Sequence, residues 1–186
     1  MNIYEIRDEL NEMAVNFKIG KLQDIRKEIK KLNWIRKGYL FGKTSDKPKG
    51  WTFHFGGRKE IQFNVGFQNE EIIRYGLAFS LKRGISLTDL SILFKRIDIL
   101  NNLINIHSEW FESYKMWNHY KGEKSDITVV KNIPEDWKKD GYFIFFGKLI
   151  EESKIDFNEI LNTLDDMLKI YIEVESRYYK NELKKE

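Results

Sequence analysis

Read for its apolar positions, the chain opens with Ile3, Ile6, Leu10, Met13 and Phe17 at helical spacing, an amphipathic helix that Gly20 interrupts. A second helix follows, with Leu22, Ile25, Ile29 and Leu32 turned inward. Lys21, Arg26, Lys27, Lys30 and Lys31 surround it. Residues 42–50 (GKTSDKPKG) read as a loop, punctuated by Pro48 and Gly50.

The period then changes to two. Trp51, Phe53 and Phe55 alternate with Thr52 and His54, and Gly56–Gly57 marks a turn. Ile61, Phe63, Val65 and Phe67 alternate with Glu60, Gln62 and Asn64. After a turn at residues 68–71, Tyr75, Leu77, Phe79 and Leu81 alternate with Arg74, Gly76, Ala78 and Ser80. This pattern predicts a three-stranded antiparallel meander with one apolar and one polar face. A helix from about Thr88 carries Leu90, Leu93, Phe94, Ile97, Leu100 and Ile104 on one side. The aromatic segment 108–120 reads as a second short helix, and residues 121–140 as a polar loop. Tyr142–Lys148 (YFIFFGK) is nearly continuous in apolar character, which predicts a central fourth strand. A long last helix has Asp156 as its cap, with Glu159 three positions on, and a buried stripe of Phe157, Ile160, Leu161, Leu164, Leu168 and Tyr171. The expectation is one α+β domain over 1–186: a short antiparallel sheet, the meander plus a fourth strand, with helices packed on one face. Its parts are a basic helical segment 1–40, a sheet core 51–148 and a C-terminal helix 156–180.

Composition narrows the chemistry. With 186 residues, the chain holds one well-formed core rather than two. There are no cysteines, which removes disulfides and thiolate metal sites, and His54, His107 and His119 are too scattered for a zinc site. The first residues carry acids where a signal peptide has a basic start, and no apolar run approaches a membrane span. A cytoplasmic protein with no membrane partner and no cofactor is expected. The net charge of +3 is unevenly spread: residues 18–49 hold eleven Lys/Arg against three acids. Lys27, Lys30 and Lys31 in that segment are candidates for phosphate contacts, or else a solvated helix face.

The polar side of the meander carries the candidate site. Gln62 and Asn64 both donate and accept, and they stand beside a strand of small side chains, which points to something lying against the sheet. A ligand or nucleic acid fits that expectation, and so does another part of the same protein. His54, Arg58, Glu60, Gln62, Asn64, Arg74 and Ser80 are the DNA-facing candidates. Trp117, in a consecutive Trp117–Asn118–His119–Tyr120 run that cannot all point inward, is a candidate for stacking on a base. Two alternatives stand beside DNA reading. Glu60–Ile61–Gln62 is similar to the metal-holding strand of restriction-type nucleases, with Asp46 as its one candidate second acid. Alternatively, the face docks a protein in a regulatory role.

Residues 51–67 (WTFHFGGRKEIQFNVGF) and 74–81 (RYGLAFSL) resemble the N-terminal recognition domains of bacterial modification-dependent restriction endonucleases of the methylcytosine type. Residues 115–117, 141–148 and 171–175 are similar to that family too. The resemblance implies a DNA-recognition role, with catalysis on an HNH nuclease or GTP-driven motor domain or subunit. This chain has no HNH motif and no Gly-x-x-x-x-Gly-Lys-[Ser/Thr] phosphate loop.

Overall fold

The period-two run forms the expected meander in a computed structural model that describes residues 3–31, 42–43, 52–56, 59–69, 71–81 and 86–183. Strands β2 (Thr52–Phe55), β3 (Gln62–Phe67) and β4 (Ile72–Ser80) pair antiparallel, with Phe55 opposite Phe63 and Phe63 opposite Leu77. Phe63, Leu77 and Phe79 are buried on one face. Trp51 and the Phe53 side chain lie outside the described residues.

The sheet is larger than four strands. A two-residue strand β1 (Gly42–Lys43) pairs with β2. The segment expected as a helix at 108–120 is a short 3₁₀ turn, Ser108–Trp110, followed by strand β5 (Lys115–Tyr120). Trp117 and His119 face one side of that strand, and Met116 and Asn118 the other. The alternation that kept four consecutive polar-aromatic residues from all pointing inward is therefore a strand's. The loop expected at 121–140 contains β6 (Glu123–Lys124) and β7 (Thr128–Val129), both paired with β5, and a 3₁₀ turn at Glu135–Trp137. Strand β8 (Tyr142–Glu151) lies between β4 and β5, the central place its apolar run predicts.

Among the described residues, four helices cover one face: α1 (Ile3–Ala14), α2 (Leu22–Lys30), α3 (Leu87–Ile106) and α4 (Phe157–Leu183). The hub is α4, which touches α1, α2, α3 and β4. Its 27 residues span roughly 40 Å, and it buries Ile160, Leu161, Leu164, Met167, Tyr171 and Val174. Asp156 caps it as expected, accepting from the Glu159 N–H at 3.1 Å. Ser86 caps α3 in the same way. No helix among the described residues is long and apolar enough to cross a membrane.

Charge is buried inside this layer. The Arg96 guanidinium of α3 makes two 2.8 Å hydrogen bonds to the Glu175 carboxylate of α4 and lies 3.5 Å from the Tyr178 ring centre. Glu175 also accepts from the Ile61 N–H. Beside it, Glu60 takes Arg26 at 2.6 Å, Lys30 at 3.3 Å and the Tyr171 hydroxyl at 2.8 Å.

The other face was expected to be polar, and it is so only in part: an aromatic cluster shares it, and it is strongly curved. The sheet coils so strongly that the Lys124 ammonium of β6 donates to the Gln68 carbonyl beyond β3, although β4, β8 and β5 lie between them. Gly76 of β4 and Gly147 of β8 are direct partners in the middle of the coil. A Cβ on Gly76 would stand 2.3 Å from the Phe146 carbonyl oxygen, and one on Gly147 2.2 Å from that of Tyr75. What lies against the small residue at 76 is therefore the backbone of the neighbouring strand. Gly76→Ala and Gly147→Ala are each expected to destabilise the fold by at least about 2 kcal/mol, because backbone and not a flexible side chain must give way. Urea titration checks this, and a change below about 0.5 kcal/mol in both would remove the glycine pair as the source of the coil.

Candidate functional site

Because cross-strand partners share a face, the register assembles the concave side residue by residue. Asn64 pairs with Gly76 and His54, Gln62 with Ala78, Ser80 with Phe143, Ala78 with Phe145, Phe145 with Trp117, and Phe143 with His119. His119 pairs in turn with Lys124. Six of the described strands thus converge on one surface.

Its floor is aromatic. Trp117 and Phe145 lie 4.4 Å apart between ring centres and, with Ala78, form a second buried cluster separate from the main core. The Arg74 guanidinium lies over Phe143 and Phe145 at 5.5 and 5.8 Å, donates to Asn64 Oδ1 at 3.3 Å and to the Phe67 carbonyl. Burial lowers its pKa to about 10. His119 sits by Phe143, and its pKa falls to about 4, first through burial and then through the charges of Arg74 and Lys124. At neutral pH its ring is therefore uncharged.

Among the described residues, buried polar atoms without a hydrogen-bond partner on this side include Trp117 Nε1, His119 Nε2 and Gln68 Oε1. Trp117 is 0% exposed and Gln68 8%. Such groups usually cost about 1–3 kcal/mol each unless a water, ion or ligand meets them. They comprise a donor (the indole N–H), an acceptor (the amide oxygen) and a ring nitrogen that serves as either.

Several candidates from the sequence converge here: His54, Gln62, Asn64, Arg74, Ser80 and Trp117. Asn64, Gln62 and Arg74 are buried, at 1%, 6% and 6%, instead of facing solvent. Truncating them would disturb the fold, contrary to the expectation for a surface. Arg58 and Asp46 lie outside the described residues. Glu60 does not share this face. Strict alternation begins only at Gln62, where β3 begins, and Glu60 precedes it in a bend that turns its carboxylate into the helical layer. Burial opposes the charge on Arg26 beside it, and Glu60 more than offsets that, so the Arg26 pKa rises. Burial also raises the Tyr171 hydroxyl pKa, reinforced by Glu60. With both oxygens engaged, Glu60 is a structural anion.

The basic segment separates in the same way. Lys30 is drawn inward to Glu60, whereas Lys27 is half-buried beside Asp24 and Lys31 is exposed. All three belong to α2 or its end, on the helix-covered side of the sheet, away from the concave face. Sequence reasoning missed Gln68, His119, Lys124, Phe143 and Phe145. The alternation in YFIFFGK already put Phe143 and Phe145 on one face and Ile144 and Phe146 on the other. Among the described residues, no group of three or more His, Asp or Glu could hold a metal ion.

The chain matches no family model, no curated protein and no solved structure.

The environment of His119 is directly measurable. The unfolded ring takes a proton near pH 6.5 while the folded one waits until about 4, so the unfolded state binds more protons between these values. His119 thus costs no stability above pH 6.5, and stability falls as pH drops from 6.5 toward 4, by roughly 1–2 kcal/mol after solvent screening. An NMR titration should place the His119 midpoint near 4, and His119→Phe should lose this pH dependence. A midpoint between 6 and 7 would contradict the site geometry.

Proposed function

We propose that this chain is the DNA-recognition domain of a restriction (phage-defence) system, and that the concave sheet face reads a base. The observation that carries the reading is the set of partnerless polar atoms, Trp117 Nε1, Gln68 Oε1 and His119 Nε2, beside a floor of stacked Phe143, Phe145 and Arg74. A nucleobase is flat, has a π-face for an aromatic floor, and carries donors and acceptors on its edge. The buried depth of Trp117 and Gln68 suits a base removed from its stack better than an edge read within a duplex groove, whose readers reach outward into the DNA. The resemblance to modification-dependent restriction enzymes supplies the setting: a site of specific sequence or modified base, with cleavage by a nuclease or motor partner.

Phosphate contacts in this reading come from the concave side. Lys115 is exposed there, on the same strand face as Trp117 and His119. The nuclease alternative loses support from the placement of Glu60, whose carboxylate already holds Arg26, Lys30 and Tyr171. A protein-docking role gains nothing from the buried, partnerless atoms, since a flat partner surface does not reach them.

The test is a gel-shift panel of unmodified, methylated and hydroxymethylated duplexes. We expect one class to bind preferentially, without cleavage in Mg²⁺ or Mn²⁺. Trp117→Phe keeps a ring and removes the indole N–H, so it should erase roughly 1–3 kcal/mol of that preference while the chain stays folded by circular dichroism. Lys115→Gln should weaken all duplexes alike and reduce the salt slope by roughly 0.9, whereas Lys27→Gln should change neither. Equal binding to every duplex at low salt, or a preference that survives Trp117→Phe, overturns the reading.

A further inference from the structure

We propose that the concave face takes a base together with its own phosphate, as a nucleoside monophosphate unit, and that Lys124 holds that phosphate after leaving the Gln68 carbonyl. This rests on the reading above and adds the charge of the ligand and the residue that meets it.

Lys124 is exposed, on a two-residue strand at the sheet's end, and its ammonium donates to a backbone carbonyl at the opposite corner. A carbonyl is a neutral acceptor. Hydrogen bonds between an ammonium and an ionised oxygen are roughly twice as strong as neutral ones, so exchange onto a phosphate is downhill and exchange onto an uncharged group is not. The face is also poor in anions. Among the described strand residues that alternate onto it, the one carboxylate is Glu151, at the far end of β8, and Lys154 holds it at 2.8 Å. Lys115 and Lys124 bring positive charge to this side, as an anionic group requires.

Gln68 joins the two halves of the ligand. Its backbone carbonyl is the seat that Lys124 would leave, and its side-chain oxygen is buried and without a partner in the same residue. Release of Lys124 therefore opens the mouth of the concavity beside an acceptor suited to a base amino or imino group. A nucleoside supplies only the edge and inorganic phosphate only the charge. A nucleoside monophosphate supplies both on one molecule.

The experiment titrates the full chain with the four deoxynucleoside 5′-monophosphates, the matching nucleosides and inorganic phosphate. Calorimetry gives affinity, and the NMR signal of the Trp117 indole N–H reports occupancy of the floor. At least one monophosphate should shift that signal and bind tenfold or more tighter than its nucleoside. Lys124→Gln, a change at an exposed position, should bring monophosphate affinity down to the nucleoside level and leave the nucleoside unaffected. Three results overturn the proposal: equal affinity for nucleoside and monophosphate, phosphate preference intact in Lys124→Gln, or inorganic phosphate binding as tightly as the monophosphates. If no mononucleotide shifts Trp117 while duplex selectivity still depends on it, this proposal falls and the DNA reading stands. If a monophosphate binds through Lys124 and no duplex is recognised, the DNA reading falls and this one stands.

Discussion

The close approach of Gly76 and Gly147 is the constraint from which the rest of the sheet follows. Side chains on the inner side of a coiled sheet converge, and at the tightest point there is no room for any. With two hydrogens in place of two Cβ atoms, β4 and β8 come together and the strands beyond them swing inward on both sides. The sheet's opposite corners then meet at Lys124 and Gln68. Without that coil, Trp117, Phe143 and Phe145 would form an exposed aromatic strip, a liability for any protein in water. With it they become the sheltered floor of a concavity.

The two sides of the sheet handle charge differently. In the helical layer, cations meet carboxylates directly: Arg96 with Glu175, and Arg26 and Lys30 with Glu60. Such arrangements favour a single geometry and leave little attraction for an outside ion. On the concave side, Arg74 meets an amide oxygen, a carbonyl and two aromatic faces, and Lys124 meets a carbonyl. A carbonyl satisfies the hydrogen bond of the Lys124 ammonium without cancelling its charge.

How much of this was legible in the sequence depended on the range of the cause. Local alternation revealed β2, β3 and β4, a continuous apolar run revealed β8, and helical spacing revealed α1, α2, α3 and α4, because each pattern lies within a few residues. Strand β5 was misread because Trp110, Phe111 and Tyr114 precede it with enough apolar weight to imitate a helix, while its partner in β8 lies some thirty residues on. Glu60 was assigned to the wrong face because alternation was extended past the start of β3. The coil, and with it the burial of Gln62, Asn64 and Arg74, depends on a pairing between positions 76 and 147. No periodicity in either strand contains that information. Gly76 did signal close approach, though of a strand and not of a ligand.

The buried ion pairs have a consequence for how the helices can rearrange. Apolar helices meet along ridges and grooves that repeat every turn, so a helix held by leucines alone has neighbouring seats about 5.4 Å apart along its axis. The two-pronged grip of Arg96 on Glu175, with the Ile61 amide on the same carboxylate, has no second seat one turn away. Sliding α3 along α4 would strand a charge instead of finding a fresh groove. The helical layer is therefore keyed like a lock with one notch, and the sheet it backs is held in a single phase. On the far side, by contrast, the Lys124 ammonium joins two corners through a single-point contact to a carbonyl, which a small slide would not strand.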